Sequence, residues 1–97
     1  MNNEIEKYRE PIPKEYETLD RTALEKRLSA FIRDLIENDF SKLHTMIYRH
    51  DVNEARFALA LKETTIELQA HAIAQLVIER ELQKIETRKL YKKKPDY

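Results

Sequence analysis

Not one of the 97 residues is glycine, and the three prolines, Pro11, Pro13 and Pro95, stand near the ends. A chain of this length ordinarily carries about seven glycines. From Lys14 to Lys94 neither strong helix breaker occurs, so any left-handed backbone position has to be taken by Asn or Asp. The chain is expected to be nearly all helical. The same absence removes the P-loop, the dinucleotide fingerprint, the nucleophile elbow and the calcium-loop turn, each of which is built on glycine.

The length suits one domain with a small core. Apolar residues make up 41% and charged residues 37%, the balance of amphipathic helices with ionised outer faces. Eighteen bases against eighteen acids leave no net charge, hence no global attraction to nucleic acid or acidic membranes. The charges are unevenly placed. Residues 1–20 hold six acids and three bases, and residues 84–97 hold six bases and two acids. Cysteine is absent, which excludes disulfides and thiolate metal sites. Met1-Asn2-Asn3-Glu4 lacks the basic and apolar segments of a secretory signal, and the apolar stretch Ala72 to Ile78 is short and interrupted by Gln75. A cytoplasmic protein without a membrane span is expected.

Three regions are expected: an acidic, extended arm over 1–18, a helical domain over 19–92 and a basic tail over 93–97. Pro11-Ile12-Pro13 biases the arm toward extended backbone, and Tyr8, Ile12 and Tyr16 are its candidates for packing onto a groove. Asp20 is the expected N-cap of a first helix over 21–37, where Leu24, Leu28, Phe31, Ile32, Leu35 and Ile36 fall on one face at 3.6 residues per turn. Asn38-Asp39 offers a left-handed reversal. Ser41 would cap a second helix over 42–50, with Phe40 as its anchor and Leu43, Met46, Ile47 and His50 on one face.

A third helix starts near Asp51-Val52-Asn53-Glu54. Either Asp51 and Glu54 form a capping box, or Asn53 caps with Val52 and Phe57 as a hydrophobic staple. Its apolar face is read as Phe57, Ala58 and Leu61. Thr64-x-x-Glu67 is taken to start the last helix, over about 65–92. One continuous helix from Glu54 to Tyr91 is the alternative. In the last helix Ile66, Ala70, Ile73 and Val77 make one stripe and Ala74, Ile78, Leu82 and Ile85 another, with Leu76 between, so it needs cover on several sides. Intra-chain cover is expected from Leu28, Phe31 and Leu35 against Ile73, Val77, Ile78 and Leu82.

The segments Tyr48-Arg49-His50-Asp51-Val52, Leu76-Val77-Ile78-Glu79-Arg80 and Gln83-Lys84-Ile85-Glu86-Thr87-Arg88 resemble a group of small, uncharacterised, all-helical bacterial proteins over about the C-terminal half of the chain. The resemblance implies a bacterial cytoplasmic origin and brings no activity with it.

Catalysis finds no footing in the residues. None of His44, His50 and His71 has glutamate three positions before it, as a helical di-metal site requires, and Glu67 with His71 supplies only two ligands. Ser29 and Ser41 have no recognisable base or oxyanion loop. Glu79, Glu81 and Glu86 alternate with Arg80, Lys84 and Arg88, the pattern of a solvated face laced with weak ion pairs. No catalytic residue, metal, cofactor or small-molecule substrate is expected.

Association is the stronger expectation. A last helix of about 28 residues extends about 42 Å, longer than the first helix can cover. A second copy is the simplest further cover, and Leu76, Ile78, Leu82 and Ile85 are the candidate interface. Enclosure by the short helices and the arm within a monomer is the alternative. Sequence alone thus describes an all-α, irregular or orthogonal four-helix bundle with a long C-terminal helix, acting as a homodimeric or heteromeric assembly module. The alternative function is nucleic-acid contact through Arg88, Lys89, Lys92, Lys93 and Lys94, with Tyr91 among them. The second and third helices resemble a helix-turn-helix in outline, but the would-be reading helix carries Glu54 and Glu63 beside Arg56 and Lys62.

Overall fold

The computed structural model describes residues 9–93, with side chains for 9–91. These residues form helices and connections with no strand: α1 (Glu15–Thr18), α2 (Arg21–Asn38), α3 (Phe40–Arg49), α4 (Glu54–Ala60) and α5 (Ile66–Lys93). No helix among them is long and apolar enough to cross a membrane.

The cap of α2 is the expected one, with Asp20 Oδ1 accepting from the Ala23 N–H at 2.8 Å. One face then buries Leu24, Leu28, Phe31, Ile32 and Leu35, with Ile36 partly covered. The next junction differs from expectation. Asp39 both donates its N–H to Leu35 O at 2.8 Å and accepts from the Lys42 N–H at 3.1 Å through its side chain, so a single residue ends α2 and caps α3. Its φ of −160° is extended rather than left-handed. Capping by Asp39 instead of Ser41 draws Phe40 into the first turn, where its ring stacks on Phe57 at 6.4 Å.

The left-handed position lies at Asp51, φ 61°. Around it the end of α3 closes as a Schellman motif: Val52 N–H donates to Ile47 O at 3.2 Å and Asp51 N–H to Tyr48 O at 3.0 Å, satisfying carbonyls that the helix leaves open. Arg80 of α5 clamps this turn, donating through Nε to Asp51 O at 3.1 Å and through Nη2 to Asp51 Oδ2 at 2.7 Å. Those bonds offset the steric cost of a Cβ in this conformation. They also hold the Asp51 carboxyl below its ordinary value.

Of the two start signals for α4, Asn53 is the cap, accepting from the Arg56 N–H at 3.0 Å. Val52 and Phe57 are both buried, as a staple requires. The inward face is Phe57, Ala60 and Leu61; Ala58, placed on that face by spacing, is exposed. The chain breaks before α5 as expected, one residue later than the Thr64 box: Thr65 Oγ1 accepts from the Leu68 N–H at 3.1 Å.

The 28 residues of α5 organise the core. Ala70, Ile73, Ala74, Val77 and Ile78 are enclosed together with Leu24, Leu28 and Ile32 of α2, and α2 makes the most extensive packing with α5. Alanines at 70 and 74 let the backbones approach closely. The arm departs from a wholly extended conformation, because Glu15–Thr18 make a helical turn that buries Tyr16. Ile12, a packing candidate, is instead exposed, and Tyr8 lies outside the described residues.

Candidate protein-association surface

Two side-chain networks fasten the arm to the helices. In the first, Arg49 Nη2 lies 2.9 Å from Glu10 Oε1, and Glu10 Oε2 lies 2.8 Å from His50 Nε2. On the other side of the ring, His50 Nδ1 is 2.6 Å from Glu81 Oε2, which Lys84 Nζ meets at 3.1 Å. Neutral imidazole has one N–H, so only imidazolium donates both hydrogen bonds. Burial pushes the Glu10 carboxyl up, but hydrogen bonds from His50 and Arg49 outweigh it and hold the group below its ordinary value. Glu81 behaves alike, with His50 and Lys84 overcoming burial.

In the second network Glu15 accepts from Arg9 at 3.2 and 3.3 Å, from the Ile12 N–H at 2.8 Å and from Arg27 of α2 at 2.9 Å. The Arg9 hydrogen bonds lead in drawing the Glu15 carboxyl down to about 2, with Ile12 and Arg27 adding and burial opposing. Carboxyls that titrate lower in the folded state stabilise it above their unfolded value, and this stabilisation is lost as pH falls through the folded values. The urea midpoint is therefore expected to drop between about pH 5 and about pH 2.5, and Glu15→Gln to reduce the drop. A wild-type midpoint flat over that interval would contradict the fastening.

These contacts make His50 and Glu81 structural. Glu81 is partly buried, not part of the solvated face on which charge alternation places it, whereas Glu79 and Glu86 are exposed. His71 is the ordinary exposed helix histidine, 3.2 Å from Gln75, and His44 is exposed with its ring edge-on to Phe57.

Ile12, Phe40, Tyr48, Leu90 and Tyr91 are exposed at separate places on the fold, and a further apolar surface lies where α4 crosses α5. Phe57 and Ala60 turn inward, which leaves Leu59 63% exposed on the outer side. Leu59 and Ala60 meet Ala72 and Leu76 of α5 in a shallow concavity of about 270 Å³, flanked by Arg56 and Glu63. Leu68, 47% exposed, stands one turn before Ala72 on the same side of α5, and continues the apolar strip.

The four residues expected at an interface part company here. Leu76 and Leu82 are both packed partly buried against the core, and Leu76 also lines the concavity. Ile78 and Ile85 are enclosed within the chain, which corrects their assignment: the second stripe of α5 is covered by the chain itself. Leu59 and Leu68 were missed. Leu59 falls off the face picked out by periodicity, and Leu68, in the first turn of α5, falls off both apolar stripes. Of the basic residues, Arg88 and Lys89 are exposed beside Leu90 and Tyr91. Lys92 and Lys93 belong to α5 with side chains outside the described ones, and Lys94 lies outside the described residues. Comparison with protein-family models, curated proteins and solved structures gives no match to this chain.

Proposed function

We propose that this chain is a non-catalytic, cytoplasmic assembly module, an irregular bundle of the four helices α2–α5 with the one-turn α1 beside them, that self-associates through the face formed by α4 and α5. The observation that carries this reading is the apolar strip on the α4–α5 face, in which Leu59 and Leu68 are exposed and Ala72 and Leu76 are half-covered. Exposed Leu59 and half-buried Leu76 in one concavity, with exposed Leu68 one turn away, favour a partner surface over chance exposure. The one buried histidine among the described residues supports a non-catalytic role, because both its ring nitrogens are engaged in fastening the arm.

Light scattering over a concentration series tests the reading. The wild type is expected to approach twice the 11.7 kDa chain mass, and Leu59→Glu to remain monomeric while keeping the wild-type helical content. A wild type that stays monomeric at high micromolar concentration would exclude the proposal.

One observation favours a second reading. Arg88 and Lys89 make no ion pair among the described residues, and Tyr91 beside them is 71% exposed, a combination suited to phosphate contact and base stacking. Salt-sensitive binding to single-stranded nucleic acid, lost on Arg88→Ala with Lys89→Ala, would support that reading; no binding at low salt would remove it.

A further inference from the structure

The α4–α5 face carries a charge pattern that specifies how a second copy sits on it, an inference that rests on the self-association reading and deepens it. Arg56 lies in the first turn of α4, and Glu63 three residues past its end; both line the same concavity as Leu59 and Ala60. Both are exposed, and neither forms an ion pair among the described residues. Glu54 and Lys62 of the same segment are likewise without an ion pair among the described residues, whereas along α5 Arg80 pairs with Asp51, Lys84 with Glu81, and Glu79 lies within 3.9 Å of Arg21.

We propose that two copies dock about a two-fold axis passing near Leu59, so that Arg56 of each copy faces Glu63 of the other. A two-fold interface is self-complementary: if residue i meets residue j, then j meets i. Arg56 and Glu63 have opposite sign and lie at equal sequence distance on either side of the Leu59–Ala60 midpoint. An antiparallel crossing therefore brings the two leucines together at the centre and forms the ion pair twice at the rim. A parallel crossing instead opposes Arg56 to Arg56 and Glu63 to Glu63, which disfavours it. A second copy is thus favoured over a different partner, because this one short segment supplies both halves of the charge match.

Charge reversal separates the possibilities. Arg56→Glu alone makes the rim wholly acidic and Glu63→Arg alone makes it wholly basic, so each is expected to weaken self-association about tenfold. An equimolar mixture of the two variants is expected to recover wild-type affinity as a heterodimer, as is the double variant on its own. Sedimentation velocity reads these affinities, and melting curves unchanged in dilute protein establish that exposed substitutions left the fold intact. Single variants that associate like the wild type, or a mixture no tighter than its components, would overturn the two-fold register while leaving self-association standing. A monomeric wild type would overturn both.

Discussion

Replacing His50 by leucine is expected to destabilise the fold by about 3 kcal/mol, because removing one member of a buried charge network leaves the others uncompensated. The ring separates Glu10 from Glu81 and bonds to both, at 2.8 and 2.6 Å. Without it two partly buried carboxylates face one another across an apolar side chain. Each keeps one cation, Arg49 on Glu10 and Lys84 on Glu81, so the loss is expected to fall short of the upper limit for such networks. With a urea dependence of about 1.5 kcal/mol per molar, the midpoint drops by about 2 M. Adding Glu10→Gln and Glu81→Gln to the leucine variant is expected to return part of the loss, since two charges then no longer need a partner. A midpoint shift below about 0.5 M for His50→Leu would show that the network contributes little beyond the packing of its neighbours.

Ile78→Ala is expected to cost about 3 to 4 kcal/mol, through lost apolar burial and the cavity left behind. Ile78 is 0% exposed and belongs to the cluster that joins α5 to α2. In a domain of this size the loss lowers the melting temperature by roughly 15 to 25 °C. The measurement also decides between two roles. A core residue destabilises the monomer, with the same deficit in dilute and concentrated protein. An interface residue, as its position on α5 first suggests, would leave the dilute melting temperature unchanged and shift only the concentration dependence.

What sequence could convey here is set by the range of the interactions. Asp20 and Asn53 act on backbone N–H groups three positions ahead, and the α2 stripe repeats within a few turns, so both were legible. The missing glycine also conveyed the right constraint, since an aspartate does hold the left-handed position, but not its place. Choosing Asp51 over Asn38 and Asp39 depends on Arg80, 29 positions away. Likewise Asp39 and Ser41 are both competent caps, and the stacking of Phe40 on Phe57 distinguishes them only in the folded chain. The Glu10–His50–Glu81 network spans separations of 40 and 31 positions, and nothing local marks its members: Glu81 sits in a run of alternating charges that reads as solvated. The proposed association face is half legible for the same reason. Leu76 stood out on α5, whereas Leu59 becomes a surface residue only because Phe57 and Ala60 commit the other side of a seven-residue helix to the core.

The central claim is that a second copy covers the α4–α5 face, and isotope-filtered nuclear Overhauser spectroscopy on a mixture of labelled and unlabelled chains tests it most directly. Intermolecular cross-peaks are expected between the methyls of Leu59, Leu68 and Leu76, and none from Ile73 or Ile78. Leucine methyls at this face with no intermolecular cross-peak at high concentration, or cross-peaks confined to another face, would contradict it.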